Sequence, residues 1–79
     1  MFYYTYVLRS AKDKLLYIGF TTNIEERLKS HNKGEVESTK NRRPLELVYF
    51  ESCLDKRKAQ VRERYFKTGF GRGFLKSRI

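Results

Sequence analysis

Five side chains of this sequence could act together on a phosphodiester bond: Tyr6, Tyr17, Arg27, His31 and Glu63. Cleaving such a bond requires a group that takes a proton from water, and positive charge that stabilises the attacked phosphate. Either tyrosine could orient or deprotonate the water. Arg27 could clamp phosphate oxygens with its forked donors, and His31 could relay a proton near neutral pH. Glu63 could hold a divalent cation through its carboxylate oxygens.

Each of these residues also has an ordinary structural explanation. A tyrosine on a strand usually packs against its neighbours, and an arginine on a helix is usually a solvated charge. A histidine near a helix end is usually a surface or capping residue. Glu63 could form an ion pair with Lys67, one turn later on the same helix. Residue types alone therefore indicate no more than a small basic domain that binds nucleic acid.

The charge balance favours a polyanionic partner. The chain has 18 Lys and Arg against 9 Asp and Glu, a formal net charge of +9, and nucleic acid is the commonest partner of such a surface. A merely solubilising surface or a ribosome-associated protein is the alternative. The single cysteine, Cys53, excludes an internal disulfide and a cysteine metal cluster. With no predicted signal peptide or membrane-spanning run, we expect a reducing, cytoplasmic location and no membrane association.

The first half of the chain predicts two strands and a helix. "FYYTYVLRS" and "LLYIGF" are rich in aromatic and β-branched residues, which favour strands, and the short gap between them predicts an antiparallel hairpin. A two-residue turn at Ala11 and Lys12 would place Tyr6 directly opposite Tyr17. The following helix begins after a cap at Thr22 or Asn23 and places Arg27 and His31 one turn apart.

The second half predicts an exposed loop, a strand and one or two helices. "EVESTKNRRP" is polar, and "LELVYFESC" alternates regularly as a third strand. In "LDKRKAQVRERYFKTG", Asp55 caps a helix that Gly69 ends. Helical spacing groups its apolar residues into two adjoining sets, Leu54, Val61 and Tyr65 beside Ala59, Phe66 and Phe70. A short final helix could follow the glycines, with Phe74, Leu75 and Ile79 docking inward.

These elements predict an α/β (α+β) fold in one domain, residues 1–79. A small three-stranded antiparallel sheet is flanked by helices, in the order β-β-α-β-α with a possible third helix. Helices can cover the apolar face of such a sheet.

The ordered series of motifs resembles the GIY-YIG nuclease family over essentially the whole chain. It comprises Tyr6, a ten-residue gap, Tyr17-Ile18-Gly19, then Arg27, His31 and Glu63. It is similar to small stand-alone bacterial members, near the Slx-type structure-specific nucleases and the excision-repair nuclease domain. "YIGFTTNIEERL" matches the second motif and its helix. The first motif here is Tyr4-Thr5-Tyr6, which lacks the family's glycine and isoleucine, and a late asparagine of some members has no match.

The resemblance implies a role for each residue of the series. Tyr6 and Tyr17 match the two active-site tyrosines, one or both acting on the attacking water. Arg27 matches the arginine that stabilises the pentacoordinate phosphate, and His31 a histidine that assists the base. Glu63 matches the lone acidic ligand of one Mg²⁺ or Mn²⁺ ion. Gly19 matches the motif glycine, which lets backbone and substrate approach closely.

The function that the resemblance implies is a metal-dependent DNA endonuclease with structure-specific or low specificity, acting in DNA repair, recombination or processing. A protein partner could supply specificity. The alternatives are a non-catalytic nucleic-acid-binding module on the same fold and a small structural protein of a ribonucleoprotein. Long cations outside the series would hold the DNA backbone without reading bases. They lie in the polar loop and at the end of the chain: Lys40, Arg42, Arg43, Arg72 and Lys76.

Overall fold

The computed structural model describes residues 1–79 and contains three strands and three α-helices. The order β-β-α-β-α-α and the antiparallel sheet confirm the predicted fold class. None of the helices has the length and apolar character needed to span a bilayer. In chain order the elements are β1 (Tyr3–Ser10), β2 (Leu16–Thr21), α1 (Ile24–Asn32), a 3₁₀ turn (Lys40–Arg42), β3 (Leu45–Cys53), α2 (Lys56–Phe66) and α3 (Gly69–Lys76).

The central strand β1 divides the hydrophobic core into two layers. The sheet order is β2-β1-β3, and successive side chains of a strand point to opposite faces. On one face Val7 packs with Phe66 of α2 and Leu75 of α3. On the other face Tyr6 belongs to a buried cluster against which the apolar side chains of α1 pack, Ile24 among them. α1 therefore packs on one face of the sheet, and α2 and α3 pack on the other.

The β1–β2 register differs from the predicted one by two residues. Tyr6 lies opposite Gly19, and Tyr17 lies opposite Leu8. The predicted two-residue turn is wrong because the turn is longer: the Ser10 hydroxyl accepts hydrogen bonds from the backbone N–H groups of Lys12 and Asp13, each at 3.1 Å. A shift of two residues keeps side chains on the same face. The prediction that the two tyrosines share one face therefore still agrees with the structure.

A β-bulge in β3 breaks the predicted alternation of that strand. Val7 pairs with Tyr49, but the next residue, Leu8, pairs with Leu47, so Val48 is the extra residue. Leu47 packs in the layer that contains Tyr6, whereas Val48 and Tyr49 both pack in the layer that contains Val7. Regular alternation from Leu45 would place Tyr49 on the same face of the sheet as Leu45 and Leu47. Because of the bulge, Tyr49 and the residues after it lie on the opposite faces from those predicted.

The helix starts agree with the predicted caps. The Asn23 side chain accepts a hydrogen bond from the N–H of Glu26 at 3.2 Å, and Asp55 accepts one from Lys58 at 3.0 Å. The prediction that Gly69 ends the second helix is wrong. α2 ends at Phe66, and Gly69 is the first residue of α3, whose cap is Thr68.

The buried face of α2 is only partly the predicted one. Ala59 and Phe66 are buried, and the carbonyl of Ala59 accepts a hydrogen bond from the Thr5 hydroxyl at 2.8 Å. Leu54 and Val61, predicted to cluster with Tyr65, are exposed.

Around the far end of α2, an arginine does part of the packing expected of apolar residues. The Arg62 guanidinium lies 4.5 Å from the Phe66 ring centroid and 5.2 Å from that of Phe74, and it forms a two-pronged ion pair with Glu51. Leu75 and the partly buried Phe74 dock inward as predicted, but Phe70 is 85% exposed. Arg62 of α2 thus contributes to the boundary of the core.

Candidate active site

The Tyr6 side chain lies at the centre of a polar network inside the sheet–α1 layer. Tyr6 is 2% exposed. Its hydroxyl lies 2.8 Å from His31 Nε2, and the Arg27 Nε–H donates a hydrogen bond to it at 3.3 Å. Arg27 and His31 are one turn apart on α1, as the sequence predicts. Residues far apart in the chain therefore converge on one phenol.

Gly19 makes room for the Tyr6 ring. A Cβ atom at this position would lie 2.3 Å from both the Cζ and hydroxyl atoms of Tyr6, closer than two unbonded atoms can approach. Because Gly19 is the cross-strand partner of Tyr6, only a residue without a side chain lets the phenol lie across β2. The glycine of the Tyr17-Ile18-Gly19 motif is thus required for the packing of the Tyr6 ring.

His31 is held from its other ring nitrogen by a residue that the sequence did not single out. His31 and Thr39 are both 0% exposed, and His31 Nδ1 lies 2.7 Å from the Thr39 hydroxyl. That hydroxyl donates a hydrogen bond to the Val36 carbonyl at 3.5 Å. The segment containing Thr39 was predicted as an exposed loop, and this local prediction is wrong because the loop folds back under α1. No local pattern marks one threonine of a polar loop as buried.

Tyr17 forms one wall of the same network. Its ring centroid lies 5.0 Å from the His31 ring, edge-on, and 6.4 Å from the Tyr6 ring. The structure therefore brings together Tyr6, Tyr17, Arg27 and His31 around one point.

Burial and charge shift the pKa values of three groups of the network. Burial raises the pKa of Tyr6, and the neighbouring Arg27 only partly opposes this. Burial, and then the positive charge of Arg27, lower the pKa of His31 to about 4. The hydrogen bond to Tyr6 raises the pKa of Arg27. At neutral pH the network therefore consists of a protonated phenol, a neutral imidazole and a guanidinium.

The His31 shift predicts that the fold weakens in mild acid. Between pH 6.5 and about 4 the unfolded chain binds a proton that the folded chain does not, so stability falls as pH falls. At about 1.4 kcal/mol per pKa unit, the free energy of unfolding should drop by about 2 kcal/mol from pH 7 to pH 5. Urea unfolding at the two pH values measures this.

The chain's single histidine makes this pH effect assignable. A His31→Gln variant should be less stable at neutral pH but should show little change between pH 7 and pH 5. A wild-type stability that stays flat over this interval, or an imidazole NMR titration centred near pH 6.5, would contradict the pKa shift.

Glu63 approaches the network from α2, the helix on the other side of the sheet. Its carboxylate forms an ion pair with Lys67 at 3.3 Å, the structural alternative noted from the sequence. Its negative charge is nevertheless close enough to contribute to the raised pKa of Tyr6. No group of three or more His, Cys, Asp or Glu side chains lies together as a metal site. Any metal ion at Glu63 would therefore depend largely on water or substrate for its other ligands.

The predicted DNA-contacting cations of the polar loop are not equivalent. The Arg42 guanidinium is engaged by Asp13, with Nε 2.7 Å from Oδ2, and it lowers the pKa of Asp13 to about 2. Lys40 forms an ion pair with Glu37 at 3.1 Å, and Arg43 Nε–H donates to the Lys40 carbonyl at 2.8 Å. Lys40 and Arg43 line a polar hollow of about 520 Å³ together with Lys12, Asn32, Asn41 and Pro44.

The two predicted cations of the C-terminal helix lie elsewhere. Arg72 and Lys76 line a hollow of about 340 Å³ with Lys14 and with Leu16 and Ile18 of β2. Leu16 and Ile18 belong to the layer packed by α2 and α3. The predicted phosphate-binding residues therefore line two hollows, whose linings include Lys12 and Lys14 of the same β1–β2 turn.

Comparison with known protein families identifies the domain. Residues 2–76 match the family model described as the GIY-YIG catalytic domain. The chain belongs to the GIY-YIG family. Both motif tyrosines, the motif glycine, Arg27 and His31 meet in the network described above, so the GIY-YIG signature of this chain is also a three-dimensional cluster.

Relatives of this GIY-YIG domain include small bacterial proteins named UPF0213. A UPF0213 protein of Clostridium perfringens is 49% identical over 65 residues, covering 81% of this chain and 69% of the relative. One from Staphylococcus haemolyticus is 45% identical over 67 residues, covering 84% and 80% of the two chains. The solution NMR structure of a UPF0213 protein from Bacillus halodurans has a TM-score of 0.59 at 31% identity, and covers 98% of this chain and 84% of that one.

Proposed function

We propose that the protein is a divalent-metal-dependent DNA endonuclease that hydrolyses phosphodiester bonds in DNA repair, recombination or processing. The observation that carries this proposal is the hydrogen-bonded contact of Tyr6 with both His31 and Arg27. A module that only binds nucleic acid needs positive charge and could keep the Tyr6–His31 pair for packing, but it does not need the Arg27 guanidinium directed at that phenol. Membership of the GIY-YIG family supports the same reaction class.

The hydrogen bonds provide a path for one proton. We take the Thr39 oxygen, 2.7 Å from His31 Nδ1, as the acceptor of the Nδ1–H, and its hydroxyl hydrogen then points to the Val36 carbonyl, 3.5 Å away. His31 Nε2 then accepts the Tyr6 proton. As the attacking water gives its proton to the Tyr6 oxygen, Tyr6 passes its own to Nε2. Thr39 is in this scheme a positioning residue that selects the imidazole tautomer, a role typical of partners of the second ring nitrogen.

Substrate binding would strengthen His31 as a base. The Arg27 charge is the second cause of its low pKa. A phosphate held by Arg27 offsets that charge, so the pKa of His31 rises towards the pH at which proton transfer is efficient. Arg27 thus both clamps the phosphate oxygens and couples DNA binding to the basicity of His31.

Glu63 is the residue that would hold the metal ion, Mg²⁺ or Mn²⁺. A hard cation with a single carboxylate ligand keeps several waters, which is ordinary for Mg²⁺. When bound, such an ion would stabilise the charge that develops on the phosphate and the leaving oxygen. The ion pair with Lys67, at 3.3 Å, orients the carboxylate.

The DNA backbone would be held by the cations that line the two hollows. Lys40 and Arg43 face one polar hollow, and Arg72 and Lys76 another. Such contacts position the duplex without reading its sequence, so we expect low sequence specificity unless a protein partner adds it. Arg42 is already engaged by Asp13 and would mainly fix the loop that carries Lys40 and Arg43.

The test is a cleavage assay on supercoiled plasmid and on branched DNA, with Mg²⁺ or Mn²⁺ and with chelator. We expect divalent-ion-dependent nicking by the wild type. In Glu63→Gln, which keeps the size but removes the charge, the rate should fall by about 100-fold, because metal ions supply several kcal/mol of charge stabilisation. Binding of DNA measured in chelator should be unchanged.

A matched control is Glu46→Gln, the same change at an exposed position of β3, which should cleave like the wild type. Salt-sensitive binding without cleavage of either DNA would reject the endonuclease and favour the non-catalytic module. Equal rates in wild type and Glu63→Gln would remove Glu63 from the metal site.

A further inference from the structure

A hollow of about 540 Å³ adjoins the Tyr6 network at the start of α1. It is lined by Tyr4, Thr22, Asn23, Ile24, Glu25 and Phe50. Phe50 is the β3 partner of Tyr6, and Tyr4 precedes Tyr6 by two residues, so both rings share its face of the sheet. Ile24 packs against the cluster that contains Tyr6. The hollow therefore lies beside the Tyr6 cluster, at the turn of α1 that begins with Ile24 and leads to Arg27.

The floor of this hollow is aromatic and accessible. The Tyr4 and Phe50 ring centroids are 6.1 Å apart with planes inclined by 57°, so neither ring covers the other. Phe50 is 50% exposed although it lies in the middle of β3 rather than at a chain end. An open aromatic face beside a phosphate-binding arginine is suited to stacking a flat nucleobase, because every base has such a face.

The charge of the hollow disfavours a phosphate as its occupant. Glu25 lines it, and Glu26 follows in the same first turn of α1. The Glu25 carboxylate repels a phosphate group, whereas the guanidinium of Arg27, one turn after Ile24 on the same helix, attracts it. The phosphate and its base would therefore separate, with the phosphate at Arg27 and the base over Phe50.

We propose that this hollow binds one unpaired nucleobase of the DNA strand next to the bond that is cut. The proposal rests on the proposed nuclease function and narrows its substrate to DNA with an unpaired nucleotide, such as a bulge, flap or single-stranded end. A base inside a duplex cannot reach Phe50 unless it leaves its stack, which costs free energy. An already unpaired base avoids that cost.

Binding measured without metal tests the base site separately from cleavage. Three dye-labelled duplexes of one sequence are compared by fluorescence anisotropy in chelator: fully paired, with one unpaired adenine, and with an unpaired abasic nucleotide at the same position. The wild type should bind the unpaired adenine roughly tenfold more tightly than the abasic duplex, the size of one base–aromatic stacking contact. The abasic duplex keeps the phosphate and the flexibility but lacks the base.

The variant that tests the site is Phe50→Ala, which should bind all three duplexes alike and as weakly as the abasic one. Phe70→Ala is the control, because Phe70 is the most exposed phenylalanine and lies on α3; it should behave like the wild type. The same duplexes are then cleaved with Mg²⁺, where the wild type should cut the unpaired-adenine duplex about tenfold faster than the paired one.

The outcomes separate the two proposals. If cleavage occurs but neither binding nor rate distinguishes the adenine from the abasic duplex, the base site is wrong and the nuclease stands. If no duplex is cleaved but the adenine preference depends on Phe50, the base site stands and the nuclease is rejected. An adenine preference that Phe50→Ala retains also overturns the site.

Discussion

An Arg27→Ala variant is expected to cleave DNA about 1,000-fold more slowly than the wild type, the scale of an arginine that stabilises a transferring phosphoryl group. Arg27 Nε–H is hydrogen-bonded to the Tyr6 hydroxyl, so the substitution removes the proposed phosphate clamp and also a donor that lowers the Tyr6 pKa. DNA affinity should change by no more than about threefold, because a single cation of this basic chain is lost. Single-turnover cleavage and anisotropy in chelator measure the two quantities.

The matched control for this prediction is Lys29→Ala. Lys29 carries the same charge, lies on the same helix and is exposed, so its loss should leave the cleavage rate within about twofold, like other surface substitutions. An Arg27→Lys variant should recover little, because an ammonium cannot reproduce the forked contact. Equal losses in Arg27→Ala and Lys29→Ala would show that Arg27 serves only as one of many backbone-binding cations.

Gly19→Ala should be the most damaging change of a single methyl group. The added Cβ would meet the Tyr6 ring, whose atoms are 2.3–2.6 Å away, so the phenol must leave its place between His31 and Arg27. Overpacking of this kind costs about 1–3 kcal/mol of stability. Cleavage should fall by about 1,000-fold, as for other losses of a transition-state contact. Urea unfolding and the cleavage rate, at a temperature where the variant remains folded, measure both effects.

Gly73→Ala is the control that separates this effect from the general cost of replacing glycine. Gly73 lies inside α3, and a Cβ there would have nothing within 4 Å. Since alanine favours a helix over glycine by about 0.5–1 kcal/mol, this variant should be slightly more stable and fully active. If Gly19→Ala is as active as Gly73→Ala, the Tyr6 ring does not have to lie where the structure places it.

The site was predictable where its geometry depends on simple periodicities. Arg27 and His31 are one helical turn apart, and a strand places residues of equal parity on one face. The pairing of Tyr6 with Gly19 rather than Tyr17 changed the register by two residues and left that parity intact. Glu63 was identified only through the resemblance to the family. It lies on α2, on the other side of the sheet from Tyr6, so no strand or helix periodicity relates the two residues.

The remaining features depend on contacts that one segment cannot reveal. Thr39 is one of several polar residues in its loop, and only the folding of that loop beneath α1 buries it. The alternation of apolar residues in β3 does not reveal the bulge at Val48, because the strand has apolar residues on both faces. The bulge nevertheless moves Tyr49 to the layer that contains Val7. On α2, helical spacing placed Val61 in the core, whereas Arg62 takes the position over Phe66 and Phe74.

Part of the reactive network is itself interior packing. Among the 14 buried residues of this chain are Tyr6, Gly19, His31 and Thr39, whereas Arg27 and Glu63 lie at its boundary. A lineage that abandoned hydrolysis while remaining folded would have to retain the first four and could discard the last two. In related sequences, substitution of the arginine and the glutamate would therefore identify a protein that has kept the fold but lost hydrolysis.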